Sequence, residues 1–418
     1  MKSVLFILYY FPPMGGSGVQ RPLKFIKYLR EFGWNPIVIC PEPGAYHSFD
    51  ESLQKELDEM EIEIHRVRGN TPLHRTGKRK LVFPTWLESF LRKISLFFWL
   101  PDNKKGWINE GYKKAQQLLR KGDIDLIFAS APPYSNLMLA DKLKRIFDIP
   151  LIMDFRDDWL NSHFINYPSR FHYSRMRSLE SKTIENADCL ITINKYIADS
   201  LSSRCSTRIE IIPQGFDSED FSVLPKLNSD PKKISFLYSG TFYVQSGPGI
   251  FLEAMSRFIE ENPKYSSVIE LHFQGFLSER DRKLIEAKGL SDVTVYYGQV
   301  NHKEAVKNLL IADVLWMNNN HKKRPEAISF GKTYEYMASK KPVLALLPEG
   351  DAKETLKNYG KAFISNPESV NDVYSNIEKV IKHLEEETMP QTNDEFVLKF
   401  DRKVLTAQLA ELFNEISK

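Results

Sequence analysis

The chain has 418 residues, more than one hydrophobic core ordinarily organises, so we expect two or three domains. Hydrophobic residues make up 42% and charged residues 27%, which excludes a mainly disordered chain and a polytopic membrane protein. The net charge of +3 is too small to indicate nucleic-acid binding by bulk electrostatics.

Cysteine usage and the N-terminal segment favour a reducing cytoplasm. The three cysteines, Cys40, Cys189 and Cys205, are far apart and form no CxxC pair, which excludes a disulfide framework and a zinc pattern. The apolar run from Val4 to Phe11 is too short for a signal peptide. No run approaches the roughly 18 apolar residues that a membrane-spanning helix requires.

Short apolar runs alternate with amphipathic stretches along the first half of the chain, a pattern typical of a parallel sheet covered by helices. Val19–Phe32 is predicted as a helix because Leu23, Ile26 and Leu29 form one apolar stripe. The predicted strands are Val4–Phe11, Pro36–Cys40, Glu63–Val67, Leu126–Ser130, Leu151–Asp154, Cys189–Ile193 and Glu210–Ile212.

Asp217 to Lys233 is rich in Asp, Ser, Pro and Lys and is predicted to cross between domains. The alternation then restarts, which predicts two doubly wound α/β domains facing a cleft, over residues 1–215 and 216–394. The last helix, about 395–418, is expected to pack back on the first domain. The second series of strands is Ile234–Tyr238, Ile269–Phe273, Val293–Tyr297, Val314–Met317 and Val343–Leu347.

The first candidate binding element is the loop containing Gly16, Ser17 and Gly18, between a buried strand and a helix. Glycines let the backbone approach a ligand, and the helix start offers unpaired N–H groups for phosphate or a sugar hydroxyl. A dinucleotide fingerprint is the rival, with Glu42 as the ribose-binding acid, although the third glycine is missing. A plain tight turn is the structural alternative.

Two further segments carry charges near predicted strand or helix ends. Arg156 could hold a carboxylate or phosphate and Asp157 could accept a proton from an acceptor hydroxyl, whereas an internal salt bridge is the alternative. In Gly331-Lys332-Thr333-Tyr334-Glu335, a Walker A motif is excluded because Glu326 stands where glycine is needed. Lys332 is expected beside phosphate and Glu335 on a ribose diol; a surface Lys–Glu pair is the alternative.

Three further segments carry weaker signals. Gly240 and Thr241 follow the first strand of the second domain and could line the cleft. Asp123 and Asp125 have DxD spacing, but they precede a strand and are interpreted as solvated. Residues 83–107 mix aromatic and basic side chains, which suits either a peripheral membrane contact or a buried aromatic cluster.

Taken together, several stretches resemble family 4 glycosyltransferases of the GT-B fold. They are Phe11 to Pro22 with Lys24-Phe25, Ser130-Ala-Pro-Pro-Tyr-Ser135, Asp154 to Trp159, Ala187-Asp188, Ile212 to Phe221, and Gly331 to Val343. The matches follow one another in the family's order over nearly the whole chain.

The resemblance implies a retaining, metal-independent sugar transfer from a UDP- or GDP-linked donor to a glycan or lipid-linked glycan. It places the nucleotide mostly on the second domain, with Gly16, Ser17, Gly18, Gly240, Thr241, Lys332, Tyr334 and Glu335 as donor-binding residues and Arg156 and Asp157 as catalytic ones. We expect a cytoplasmic enzyme of bacterial surface polysaccharide or glycoconjugate synthesis, peripheral on the membrane, with no nucleic-acid partner.

Two departures from the family pattern leave alternatives open. Ala327 stands where relatives carry the first of two glutamates, with Glu326 beside it, and Ser246 stands about where relatives carry an arginine. Lys332 or Arg324 could supply the missing cation. Otherwise the chain is a catalytically silent nucleotide-sugar-binding protein. A nicotinamide-dependent oxidoreductase and a sugar-nucleotide epimerase of the same architecture are further alternatives.

Overall fold

A computed structural model describes residues 1–44, 49–69, 99–162, 165–222, 233–242 and 247–418. The chain divides into two compact units. Unit 1 comprises Met1–Pro213 and Arg402–Lys418, and unit 2 comprises Gln214–Asp401. The predicted boundary lay at residues 215 and 216. Most of the predicted crossing segment, residues 223–232, lies outside the described residues.

Unit 1 is built on a parallel sheet of seven strands in the order β3-β2-β1-β4-β5-β6-β7. Its central strands β4 and β5 are buried along their whole length and mostly apolar, because helices cover both faces of a parallel sheet. The order of the strands reverses between β1 and β4, and in sheets of this kind ligands bind at the carboxyl ends of the strands at such a point. The strands are β1 Lys2–Ile7, β2 Trp34–Pro41, β3 Glu63–Val67, β4 Leu126–Ala131, β5 Leu151–Phe155, β6 Cys189–Thr192 and β7 Ile209–Ile211.

The C-terminal helix belongs to unit 1. Leu405, Leu409 and Phe413 are buried in the same core as the first strand, and the Trp34 indole donates to Asn414 at 3.1 Å. The helices of unit 1 are α1 Ser17–Leu29, α2 Glu51–Glu59, α3 Ile108–Leu119, α4 Ser135–Phe147, α5 Arg170–Ile184, α6 Lys195–Ser202 and, after unit 2, α14 Arg402–Ile416.

Unit 2 repeats the architecture with a parallel six-stranded sheet in the order β10-β9-β8-β11-β12-β13, which reverses between β8 and β11. The strands are β8 Ile234–Ser239, β9 Ile269–Gln274, β10 Thr294–Gly298, β11 Val314–Asn318, β12 Val343–Leu346 and β13 Ala362–Ser365. The helices are α7 Gly249–Glu261, α8 Glu279–Ala287, α9 His302–Ile311, α10 Gly331–Ala338, α11 Asp351–Tyr359, α12 Val370–Glu385 and α13 Asp394–Leu398.

Two apolar cores cover the two faces of the second sheet. In one of them Trp316 of β11 stacks on Phe251 of α7, with ring centroids 3.8 Å apart. The prediction of two doubly wound α/β domains is therefore confirmed in each unit. Within the described residues, no helix combines the length and the apolar character needed to cross a bilayer.

Candidate functional site

In unit 1 the loop after β1 and the loop after β5 meet. Gly16 has a positive φ of 100° and caps α1, whose backbone begins at Ser17. The Gly18 carbonyl accepts a hydrogen bond from Arg156 Nη1 at 2.6 Å, and a Cβ at Gly18 would lie 3.2 Å from that nitrogen. The structure thus brings the predicted glycine loop and Arg156 together, with little room between them.

The Arg156 guanidinium is committed to backbone carbonyls. Besides Gly18 it donates to the carbonyls of Ala131 at 3.2 Å and Pro132 at 2.6 Å. Burial lowers the pKa of this guanidinium, against the opposing effect of Asp154. Arg156, in the loop after β5, therefore joins the first turn of α1 to the end of β4 and the residue that follows it. Its predicted catalytic role stays a prediction.

Arg21 of α1 was not singled out in the sequence. Its Nε and Nη2 donate to Asp154 at 3.2 and 3.1 Å, and its remaining donors reach the carbonyls of Ile212 and Pro213. Ser130 adds a hydrogen bond to Asp154 at 2.7 Å. Arg21 and Asp154 are fully buried. Their ion pair connects α1 to β5, and Arg21 also connects both to Ile212 and Pro213, where the chain leaves unit 1.

Asp157 differs from its acidic neighbours. Asp158 pairs with Arg204 at 2.7 Å, and Glu180 pairs with the same arginine at 2.9 Å. Within the described residues, no group donates a hydrogen bond to the Asp157 carboxylate. Burial raises the pKa of Asp157 to about 6, opposed by Arg156 and reinforced by Asp158. This carboxylate is the acid of the segment that is suited to take a proton near neutral pH.

In unit 2 the turns after β8 and β9 touch backbone to backbone. Gly240 has φ of 123°, and its N–H donates to the Gln274 carbonyl at 2.8 Å. Gly275 has φ of 114°, and a Cβ there would lie 2.2 Å from the Gly240 carbonyl oxygen. Only glycine fits at Gly275, so close to the Gly240 backbone. The backbone at both turns is therefore not covered by side chains, next to the place where the strand order reverses between β8 and β11.

Lys332, in the first turn of α10, points at this bare backbone. Its Nζ lies 3.9 Å from the centroid of the Tyr238 ring and 3.1 Å from the position of a Cβ on Gly240. Within the described residues, no carboxylate lies at ion-pair distance from this amine. Burial lowers the pKa of Lys332 to about 7, and Glu335 opposes the shift. The result is a partly buried lysine whose amine has no carboxylate at ion-pair distance among the described residues.

Glu335, one turn further along α10, is partly exposed. Its Oε1 lies 3.9 Å from His302 Nδ1, and His302 Nε2 lies 3.1 Å from Asp220 Oδ2. His302, at the start of α9, was not predicted to belong to the site, because its partners are distant in sequence. Lys332 and Glu335 are therefore neighbours one turn apart on α10, and their roles at a phosphate and a ribose stay predictions.

The other two predicted donor residues of unit 2 differ in position. Tyr334 is buried, its hydroxyl lies 3.2 Å from Ser329 Oγ, and its ring packs 4.9 Å from that of Phe400. Thr241 is exposed beyond Gly240, and its carbonyl accepts from the Tyr238 hydroxyl at 3.4 Å. Tyr334 thus lies in the core of unit 2, whereas Thr241 extends the turn after β8.

The two departures from the family pattern have different outcomes. Glu326 accepts a hydrogen bond from Arg324 Nε at 3.1 Å, and a Cβ at Gly350 would lie 2.4 Å from the Glu326 Cα. The loop before α10 is therefore closely packed at Glu326, the glutamate next to position 327. Ser246, at the position of the missing arginine, lies outside the described residues.

A cavity of about 670 Å³ opens beyond this loop, at the carboxyl ends of β11, β12 and β13. His321, Lys322 and Lys353 contribute to its polar lining. None of the predicted donor residues lines it. In unit 1, Asp123 and Asp125 lie at the amino end of β4. There Asp125 Oδ2 accepts a hydrogen bond from the Ser3 N–H at 2.7 Å.

Of the segment 83–107, residues 83–98 lie outside the described residues. Trp99 is 47% exposed, whereas Trp107 is fully buried and packs edge-on against Tyr9, with ring centroids 5.9 Å apart. One end of the aromatic segment thus belongs to the core of unit 1.

Solved structures with the same architecture cover almost the whole chain. Sucrose-phosphate synthase from Thermosynechococcus elongatus aligns with a TM-score of 0.67 and 16% identity, over 99% of both chains. A glycosyltransferase from Rickettsia africae aligns at 0.66 and 17%, over 100% of this chain and 99% of that one. Anabaena HepE in complex with UDP-glucose aligns at 0.66 and 15%, over 99% and 100%.

A search of curated protein sequences returned no match. Two family models nevertheless account for most of the chain. The model described as Glycosyltransferase Family 4 matches residues 22–220, and the model described as Glycosyl transferases group 1 matches residues 222–394. With two Rossmann-like units in the same order, the chain belongs to the family 4 glycosyltransferases of the GT-B fold.

Proposed function

We propose that the chain transfers a sugar from a UDP- or GDP-linked donor to a glycan or lipid-linked glycan, with retention of anomeric configuration and without a metal ion. Unit 2 would bind the donor and unit 1 the acceptor. Solved relatives support a nucleotide-sugar donor, since HepE was crystallised with UDP and with UDP-glucose. Bacterial surface polysaccharide or glycoconjugate synthesis, at the cytoplasmic face of the membrane, is the role we infer for it.

The observation that carries this proposal is the end of α10 beside the two glycine turns. The Glu335 carboxylate is partly exposed and can accept hydrogen bonds from both hydroxyls of a ribose. The Lys332 amine, partly buried and with no carboxylate at ion-pair distance in the described part of the chain, is suited to a diphosphate. The bare backbone at Gly240 and Gly275 would let the phosphates approach closely.

The chemistry then divides between the units. The bond between the anomeric carbon and the donor phosphate oxygen breaks, and the nucleoside diphosphate leaves with its developing charge stabilised by Lys332. Retention requires that an acceptor hydroxyl oxygen forms the new bond to the anomeric carbon on the same face from which the phosphate oxygen departs. Its proton passes to Asp157, whose raised pKa of about 6 suits a base near neutral pH. Gly16, Ser17 and Gly18 would line the approach to the transferred sugar.

The proposal is tested by thermal melting and donor hydrolysis with a panel of UDP- and GDP-sugars. One donor should raise the melting temperature and be slowly hydrolysed, also in the presence of a chelator. Glu335→Ala should abolish both responses. Lys340→Ala, which removes an exposed lysine paired with Asp394 at 2.6 Å near the end of the same helix, should change neither. Absence of any shift at millimolar donor would contradict the proposal.

A catalytically silent nucleotide-sugar-binding protein is the second candidate. It is favoured by Arg156, whose donors are taken by three backbone carbonyls. This candidate requires that a donor raises the melting temperature while no hydrolysis or transfer occurs. A measurable transfer rate that Glu335→Ala or Lys332→Ala removes would eliminate it.

A further inference from the structure

Unit 2 contains a cavity that the proposed sugar transfer does not use. Its volume of about 670 Å³ is within the range of small-molecule sites. It lies at the carboxyl ends of β11, β12 and β13, and all of its lining residues belong to unit 2. The predicted donor residues of this unit lie instead on the turn after β8 and on α10. The cavity is therefore a candidate site for a second ligand.

The walls of the cavity are held in place by hydrogen bonds. The Asn319 N–H donates to the Leu346 carbonyl at 2.8 Å, so the loop after β11 continues the sheet. After β12, the Leu347 N–H donates in the same way to the Ser365 carbonyl at 3.0 Å. The Asn319 carboxamide, which is 1% exposed, accepts from the His321 N–H at 3.2 Å. Such a cavity is largely formed before any ligand arrives.

The charges that line the cavity nearly cancel. The lining contains two lysines and three carboxylates. Lys353 pairs with Glu349 at 2.5 Å, and Asp372 Oδ2 accepts from a backbone N–H at 2.6 Å. Lys322 and Glu368 then leave one charge of each sign. The lining therefore has no cluster of like charges that would favour an anion or a cation.

Several lining groups are available for hydrogen bonds with a ligand. The Lys322 ammonium and the Glu368 carboxylate are exposed, and in the described part of the chain neither has an ion-pair partner. The Asn366 carboxamide oxygen accepts from the Glu368 N–H at 3.0 Å, and no acceptor for its NH₂ group lies within the described residues. Burial lowers the pKa of His321, so this imidazole adds no positive charge to them. The cavity thus offers both donors and acceptors.

Apolar groups complete the lining. They come from Leu347 and Ile364 and from three prolines, Pro325, Pro348 and Pro367. No Phe, Tyr or Trp is among the described residues of the lining. A nucleobase, which proteins commonly hold by stacking on aromatic rings, is therefore not the ligand that this surface fits. The mixture of small apolar and polar groups suits a ring with C–H groups on its faces and hydroxyls along its edge.

We propose that this cavity binds a neutral saccharide and is separate from the donor site. A sugar hydroxyl both donates and accepts hydrogen bonds, so it matches a lining that holds both kinds of group without an excess of charge. Its hydrogen bonds to Lys322 and Glu368 are strengthened by the charges of these side chains. The saccharide is either a segment of the acceptor glycan or a free sugar. The inference does not depend on the donor chemistry and would stand if no nucleotide sugar bound.

The test is isothermal titration calorimetry of the full chain with glucose, galactose, mannose and N-acetylglucosamine, and with a linear trisaccharide of each. At least one of these sugars should bind at millimolar concentration, with an affinity that saturating UDP or GDP leaves unchanged. Inorganic phosphate and glucuronate should bind more weakly than the neutral sugar. A trisaccharide that binds more tightly than its monomer identifies a glycan segment as the ligand, and equal affinities identify a free sugar.

Two substitutions locate the bound sugar in the cavity. Lys322→Ala and Glu368→Ala should each weaken its binding roughly tenfold, because each removes a hydrogen bond to a charged group. Both side chains are exposed, so the melting temperature should stay unchanged. The matched control is Glu378→Ala/Lys379→Ala, which removes one exposed charge of each sign from α12 outside the cavity lining. It should bind the sugar like the wild type.

Four results would overturn the proposal. The first is that none of the neutral sugars binds at millimolar concentration. The second is displacement of the sugar by UDP or GDP, which would place it at the donor site. The third is that Lys322→Ala and Glu368→Ala bind the sugar as tightly as the control variant does. The fourth is tighter binding of phosphate or glucuronate than of any neutral sugar, which would make the cavity an anion site.

Discussion

The protonation state of the Lys332 amine should depend on whether an anion is bound next to it. Its amine faces the Tyr238 ring and the Gly240 backbone, while Glu335 on the same helix is the nearest acid that favours its protonation. His302 and Asp220 face Glu335 from outside α10. With a pKa of about 7, much of this amine is neutral at physiological pH until an anion arrives.

The affinity for a nucleoside diphosphate should therefore fall as pH rises. Above about pH 7 the free protein must take up a proton on Lys332 to bind the diphosphate, which weakens binding by up to about tenfold per pH unit. Isothermal titration calorimetry from pH 6 to pH 9, in buffers of different ionisation enthalpy, measures both the affinity and the proton uptake.

Lys332→Gln is the matched variant for this titration. It should bind more weakly at pH 6, with an affinity that no longer changes above pH 7. The same lowered pKa means that the free protein gains stability as pH rises from about 7 towards the unfolded value of 10.5. A pH profile of binding that is identical in wild type and Lys332→Gln would remove Lys332 from the diphosphate site.

The reaction rate should change with pH in the opposite direction to the diphosphate affinity, because Asp157 must be deprotonated. As a base it works deprotonated, so kcat should fall below about pH 6 and level off above it. Asp157→Asn should lower kcat by roughly 10²- to 10⁴-fold and leave donor binding unchanged. Steady-state rates from pH 4.5 to pH 8 decide the matter, and an Asp157→Asn enzyme with wild-type kcat would exclude the base role.

At the residue scale, the sequence predicted which segments carry charge but not how the charges are satisfied. Lys332 and Glu335 are neighbours on one helix, so their proximity follows from spacing alone. Arg21 meets Asp154, and His302 meets Asp220, only through the fold. No local pattern indicates such pairs, because their partners are far apart along the chain.

At the scale of the elements, the adjacent turns after β8 and β9 require glycine at position 275. Gly275→Ala would set a Cβ 2.2 Å from the Gly240 carbonyl oxygen and should destabilise unit 2 by roughly 3 kcal/mol while weakening donor binding. Gly289 also has a positive φ, of 67°, but open space around it. Gly289→Ala should therefore cost only about 1 kcal/mol.

Urea unfolding and donor titration of the two variants separate steric overlap from backbone strain. Gly275→Ala should show both defects and Gly289→Ala only the smaller loss of stability. Equal losses in the two variants, with donor binding intact in both, would show that the approach of the two turns does not shape the site.

Element boundaries were predicted less well than element types. The apolar run Val4–Phe11 predicts a strand to Phe11, but β1 ends at Ile7, and the chain then leaves the sheet toward Pro12. β13, Ala362–Ser365, was not predicted. Residues 362–365 form a strand through their parallel pairing with β12, and this pairing cannot be recognised in the local sequence.

On the scale of the whole molecule, the chain leaves unit 1 at Pro213 and returns to it at Arg402. Phe413 of α14 is fully buried and packs edge-on against Trp34, with ring centroids 5.2 Å apart. Phe413→Ala should destabilise unit 1 by about 3–5 kcal/mol, whereas Glu411→Ala on the exposed side should stay within about 0.5 kcal/mol.

Tryptophan fluorescence during urea unfolding detects this change, because Trp34, Trp107 and Trp159 are all buried in unit 1. The nucleotide response of unit 2 provides the comparison, since it should survive conditions that unfold unit 1 in Phe413→Ala. An unchanged unfolding midpoint in Phe413→Ala would mean that the returning helix adds nothing to the core of unit 1.

The tandem architecture was predictable because strand and helix periods repeat on both sides of the crossing at Asp217. The order of the strands was not, since parallel pairing joins segments that the chain separates by a helix. The same limit applies to the site, whose glycine turns follow neighbouring strands of the sheet but lie 35 positions apart as Gly240 and Gly275.

A crystal structure of the chain with a bound UDP- or GDP-sugar tests the central claim most directly. We predict the ribose hydroxyls within hydrogen-bond distance of the Glu335 carboxylate and a diphosphate oxygen at the Lys332 amine, beside Gly240. A nucleotide bound elsewhere on the chain, with Glu335 and Lys332 both free of it, would contradict the account.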